Sequence, residues 1–96
     1  MIRPFSSSDR PVLLRMMNTF YHSPAVNHMV PESYFNTTID MILNGSPYAE
    51  GWLVEHGGRP AGYGLIAKSY SNEVGGLVVW LEELYIAEEF RGLGLG

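Results

Sequence analysis

The sequence predicts an α/β fold of the α+β kind, in the order β-α-α-β-β-β, with a mainly antiparallel sheet and helices packed on it. Three observations carry this. Two stretches in the first half repeat their apolar residues at helical spacing, with Leu13, Met17, Phe20 and Tyr21 in one and Phe35, Thr38, Ile39 and Ile42 in the other. From Ala49 onward the period becomes that of strands, punctuated by turn residues. Leu77, Val78, Val79, Trp80 and Leu81, entered through Gly75-Gly76, then form the most apolar strand of the chain. Helices bunched early and strands meandering late make one layer on another.

Residues 1–5 read as a short first strand, where Pro4 is tolerable only near an edge or strand end. Ser6, Ser7, Ser8 and Asp9 supply caps for the free N–H groups of a helix start, and Pro11 suits its first turn. That helix runs to about Tyr21, and Ser23-Pro24 ends it. A second helix is predicted over residues 31–43. Asn44-Gly45 closes it, and Pro47 bars its continuation. Trp52-Leu53-Val54-Glu55 is a strand, and residues 56–60 are a turn. Residues 62–70 form the next strand, in which Gly62 and Gly64 mark either a bulge or a close backbone approach. Ser71-Asn72-Glu73 turns into the strand of residues 77–86. Its faces before the carboxylates are both apolar, which predicts a central strand covered on both sides.

The totals bound the function. Ninety-six residues allow one domain, and 46% hydrophobic with 17% charged residues describes a globular chain rather than a disordered one. A net charge of −4 argues against general nucleic-acid binding, which needs a basic field, and suits a cationic partner. With no cysteine there is no disulfide framework, thiol nucleophile or thiolate metal site. His22, His28 and His56 lack metal-ligand spacing, so no metal is expected. No apolar run is long enough to span a bilayer, and the N-terminus lacks a signal-peptide core. The expected setting is therefore cytoplasmic, with no membrane partner.

Two features carry chemistry. Glu82 and Glu83 are strand neighbours and are expected to face opposite sides, Glu82 with Trp80, Leu84 and Ile86, Glu83 with Leu81 and Tyr85. Behind them, Arg91-Gly92-Leu93-Gly94-Leu95-Gly96 alternates glycines after an arginine, a pattern that lets backbone N–H groups cradle an anion. Taken alone the glycines equally describe a plain loop. A dinucleotide-binding turn is disfavoured, because that motif follows the first strand of a βαβ unit rather than an antiparallel meander.

The segment from Leu81 through Glu82, Glu83, Leu84, Tyr85 and Ile86 to Arg91, Gly94 and Gly96 resembles motif A of the GNAT N-acetyltransferases. That motif is Arg or Gln, two residues, Gly, one residue, then Gly or Ala, just after the fourth strand. The resemblance implies the N-terminal half of that fold, so that residues 1–96 are expected to be a single partial domain ending after the pyrophosphate loop. It implies transfer of an acetyl group from acetyl-CoA to a primary amine, and the acidic pair resembles that of polyamine acetyltransferases. By the same resemblance Glu82, or secondly Glu83, takes the amine proton or holds a cationic substrate. Backbone groups of Leu84, Tyr85 and Ile86 would line the acyl chain, and Arg91, Gly92, Leu93, Gly94, Leu95 and Gly96 would hold the pyrophosphate. Tyr21 and His22, with Glu82, would face the acceptor.

The alternative is a non-catalytic module that binds acyl-CoA or a nucleotide. On either reading the 96-residue chain alone is expected to be a poor catalyst and to self-associate, as a homodimer, through the uncovered sheet.

Overall fold

The computed structural model describes residues 1–24, 26 and 30–94. Strand β1 (Ile2–Pro4) leads through a single 3₁₀ turn (Ser7–Asp9) into helix α1 (Arg10–Tyr21), followed by helix α2 (Glu32–Leu43). Strands β2 (Ala49–His56), β3 (Arg59–Ser71) and β4 (Gly76–Ile86) follow, and a second 3₁₀ turn (Glu88–Phe90) comes after them. The four strands form one antiparallel sheet in the order β1-β2-β3-β4. Fold class and element order are those expected.

The start of the chain is tied by charge. Arg3 grips the Asp9 carboxylate with both terminal nitrogens, at 2.7 and 2.8 Å, and reaches Glu55 on β2 at 3.2 Å. Asp9 also accepts from the Ser6 N–H at 2.8 Å, so the helix start is closed by a carboxylate rather than by the serines alone. The hydrogen bonds from Arg3, ahead of every other influence, lower the Asp9 pKa from 3.8 to about 2. The Arg3 guanidinium is correspondingly raised.

One face of the sheet packs on both helices. Leu13 and Met17 of α1, Ile39 of α2, Leu53 of β2 and Tyr63 of β3 are all but inaccessible to solvent. Truncating any of the aliphatic ones to alanine is expected to cost about 2–5 kcal/mol. Thr38 and Ile42, expected in the buried face of α2, are only half-buried and turn toward a cleft. On the other face a small cluster of Val54, Ala61 and Phe90 is covered by the second 3₁₀ turn.

Two expectations about β4 are corrected. It is an edge strand of the described sheet rather than a central one, and Leu77, Val79, Trp80 and Leu81 are each more than half exposed. The meander order places the last strand outermost whatever its composition, so apolar residues on both faces did not report a central position. The faces also differ from strict alternation. Leu65 pairs with Glu83 but Ile66 pairs with Leu81, leaving Glu82 as an extra residue in a β-bulge. Beyond the bulge the parity shifts by one. Glu83 and Tyr85 therefore share the helix-side face with Trp80, and Leu81 lies on the other.

Candidate functional site

The bulge is the local event that builds the site. An inserted residue bends the strand and lets two successive side chains approach one space. Glu82 and Glu83 accordingly line the same cleft, of about 410 Å³, between α1, α2 and the helix-side face of β3 and β4. The expectation that the two carboxylates serve opposite sides is thereby overturned.

The two are held differently. Tyr63, buried on β3, donates its hydroxyl to Glu83 Oε1 at 2.7 Å, and Tyr21, at the end of α1, donates to Oε2. Burial first, then the Glu83 hydrogen bond and charge, raise the Tyr21 phenol; burial, then the Glu83 charge and hydrogen bond, do the same for Tyr63. Both phenols thus stay protonated donors at neutral pH. Glu82, by contrast, has no hydrogen-bond or ion-pair partner among the described residues. The arrangement offers one anchored carboxylate and one free carboxylate at the same end of a largely apolar hollow.

The wall facing the carboxylates comes from helix spacing. Tyr34, Thr38, Met41 and Ile42 recur at i, i+4, i+7 and i+8 on α2, flanking the buried Phe35 and Ile39, and all four line the cleft. Tyr48, just before β2, closes the far side. Sequence reasoning missed Tyr34, Met41, Tyr48 and Tyr63. The α2 periodicity contained the first two, but a second apolar stripe beside a core stripe reads as a wider core.

Immediately after the carboxylates, β4 runs along the sheet edge. Ala87 donates its N–H to Ala61 O at 2.7 Å, so alternation turns the Tyr85 peptide groups toward β3 and those of Leu84 and Ile86 away from it. Of the three residues expected to offer free backbone groups, Leu84 turns both of its groups outward, Ile86 keeps only its N–H open, and Tyr85 offers neither. Arg91 Nε takes the Ile86 carbonyl at 2.8 Å, and its guanidinium lies 5.9 Å from the centre of the Tyr85 ring. A second hollow here, of about 320 Å³, is lined by Phe20, Ser23, Pro24, Leu84, Tyr85, Ile86 and Arg91.

Gly92 and Gly94 follow with φ of 84° and 75°, left-handed conformations that favour glycine. Leu93 between them is half exposed. Leu95 and Gly96 lie outside the described residues, as does His28. Tyr21 and Glu82 meet in the main cleft. His22 does not join them: its Nδ1 lies 2.7 Å from Asn18 O, and it lines a neighbouring hollow with Glu88 and Arg91. Among the described residues no group of three or more His, Asp or Glu stands close enough to hold a metal ion, and no helix is long and apolar enough to cross a membrane.

The family model described as the acetyltransferase (GNAT) family matches residues 13–96. Among solved structures the chain is similar to an integron cassette protein from the mobile metagenome of the Cole Harbour salt marsh. The TM-score is 0.86 at 27% identity, over 99% of this chain and 61% of that one. It is similar in fold to an aminoglycoside antibiotic 6′-N-acetyltransferase from Acinetobacter haemolyticus, with TM-score 0.73 and 18% identity over 98% of this chain and 61% of that one. A GNAT family acetyltransferase of Staphylococcus aureus gives 0.66 and 18% over 98% and 67%. The chain thus spans about three fifths of the length of the first two. No curated protein matches it.

Proposed function

The chain belongs to the acetyltransferase (GNAT) family, and from that premise we propose that it provides the acceptor cleft and part of the acetyl-CoA site of an N-acetyltransferase acting on a primary amine. The observation that carries this is the run of β4 itself. A carboxylate with no partner among the described residues opens into the cleft at the bulge, and the next residues turn peptide groups outward to the sheet edge.

The residues present fit the cosubstrate. The outward N–H and C=O of Leu84 and the outward N–H of Ile86, whose carbonyl is held by Arg91, suit an extended chain carrying amides, which would pair there as an added strand does. Arg91 with the left-handed Gly92 and Gly94 suits a pyrophosphate. Leu95 and Gly96 belong to the same proposed loop by their place in the motif. When bound, acetyl-CoA supplies an activated acetyl thioester.

This chain's own residues then have separable tasks. Glu82 and the phenol-anchored Glu83 attract a protonated amine into the cleft. Glu82, free to accept, takes a proton from the ammonium and leaves a nitrogen with a lone pair. Glu83, with both oxygens already accepting, holds Tyr21 and Tyr63 in place and keeps negative charge at the cleft end. An outward N–H at Leu84 or Ile86 is suited to an oxygen on which negative charge develops. The acidic pair favours a cationic acceptor, and the setting we propose is cytoplasmic.

The test is calorimetric titration of the chain with CoA, alongside product detection with acetyl-CoA and primary amines. Wild type is expected to bind CoA and Gly94→Glu to bind at least about tenfold more weakly, since charge and bulk enter a left-handed backbone position. Equal affinities would sink the loop assignment.

A further inference from the structure

We propose that the cleft at Glu82 and Glu83 selects a small amine with a single ammonium on an apolar or aromatic body, over di- and polyamines. This narrows the acetyl-transfer reading above and rests on it for the reaction, though not for the recognition.

Charge placement carries the first half of the argument. The bulge gathers Glu82 and Glu83 at one end, and among the described residues they are the only charged ones lining the cleft. Two acids on the neighbouring elements α2 and β2 are occupied elsewhere: Asp40 is paired with Arg10, and Glu50 with Lys68 at 3.2 Å. A first ammonium therefore has a carboxylate to meet. A second, a few bonds along the same molecule, faces the wall of Met41, Ile42 and Thr38 instead. An ammonium removed from water without a counter-charge is strongly disfavoured.

Exposed apolar surface carries the second half. Tyr34 is 62% exposed, Met41 41% and Tyr48 68%, and all three line this one cleft. Helix α2 already buries Phe35 and Ile39 against the sheet, so its second stripe is not needed for the core. Aromatic and thioether walls around a hollow of about 410 Å³ match a flat apolar body and give it contact area that a polymethylene diamine does not fill.

The experiment compares 2-phenylethylamine with butane-1,4-diamine, titrated into the chain by NMR and calorimetry. Each amine is then incubated with acetyl-CoA and the products weighed by mass spectrometry. The aryl monoamine is expected to bind about tenfold or more tighter than the diamine. Met41→Glu, at a surface-accessible position, places a carboxylate on the apolar wall and is expected to narrow or reverse that ratio. Glu82→Gln is expected to weaken both amines.

Equal or tighter binding of the diamine by the wild-type chain overturns the proposal, as does a folded chain that binds neither amine. An unchanged ratio in Met41→Glu overturns it too. Tight binding of 2-phenylethylamine by a chain that gives no acetylated product and does not bind CoA leaves the recognition standing and removes the acetyl-transfer reading. Acetylation of the diamine alone does the reverse.

Discussion

Glu82 and Glu83 differ by one position and by everything around them. Glu83 accepts from two phenols and so belongs to a network in which removing any member strands the others. Glu82 makes no hydrogen bond to it, and acts on it only through its charge, which adds to the raising of the Tyr21 phenol. Glu82→Gln is expected to leave stability within about 0.5 kcal/mol of wild type, as surface changes usually do, and to lower acetyl transfer. Glu83→Gln is expected to cost about 1–3 kcal/mol in stability as well as activity. Chemical denaturation beside a turnover assay over a pH series separates the two. Full activity of Glu82→Gln at every pH removes it as base and as anchor. Asp9 makes a prediction of a different sign in pH. Its pKa is depressed to about 2, so its stabilisation is fully present above the unfolded value of 3.8 and is lost as pH falls through 2. The contribution above pH 4 is on the order of 2 kcal/mol. Asp9→Asn is expected to lose that increment at neutral pH and to flatten the acid limb of stability between pH 4 and 2 in a denaturation series.

At the level of elements, the contact between β3 and β4 decides where the site can be. Gly62 sits so close to its neighbour that a Cβ there would lie 2.1 Å from Tyr85 O, which is backbone and cannot swing aside. Gly62→Ala is expected to force the strands apart at a cost of about 1–3 kcal/mol. Because the opening falls opposite Tyr85 and Ile86, it would also disturb the edge proposed for the cosubstrate. Thermal melting and CoA titration on this variant should both move; a melting temperature equal to wild type would show that the pair relaxes freely. The Glu82 bulge is the other device at this scale. It sits between regular pairings, Leu65 with Glu83 and Ile66 with Leu81, and changes which side chains reach the cleft without altering strand order.

Across the whole molecule, apolar surface is unevenly distributed. Tyr70, Leu77, Val79 and Leu81 are all more than half exposed on β3 and β4, and β4 also carries the sheet's open edge. Cross-strand pairing puts Tyr70 beside Leu77 and Ile66 beside Leu81 on the face away from the helices, making one apolar stripe. Such a stripe beside an open edge is a template for pairing with another copy. The 96-residue chain is expected to show a concentration-dependent mass by light scattering. Leu81→Lys should shift it toward monomer by placing charge in the stripe. A strictly monomeric wild type at high concentration would contradict this.

How much of this was legible in the sequence follows from which forces act locally. Helix spacing at Leu13 and Met17, or Phe35 and Ile39, depends on the chain's own period, and both helices lie where it puts them. Turn residues at Gly57-Gly58 and between Ser71 and Gly76 act within a few bonds, so the meander and its antiparallel order were readable too. The Arg91-Gly92 step and the glutamate pair were visible as composition. What they face was not. A bulge arises from how two strands fit over their whole length, and one extra residue at Glu82 exchanges the faces of the residues beyond it, Glu83 to Ile86, relative to those before it. The phenols that hold Glu83 come from positions 62 and 20 residues away, Tyr21 and Tyr63, a distance no local pattern spans. Apolar residues on both faces of β4 state a need for cover, whereas only the tertiary arrangement decides whether a neighbour supplies it.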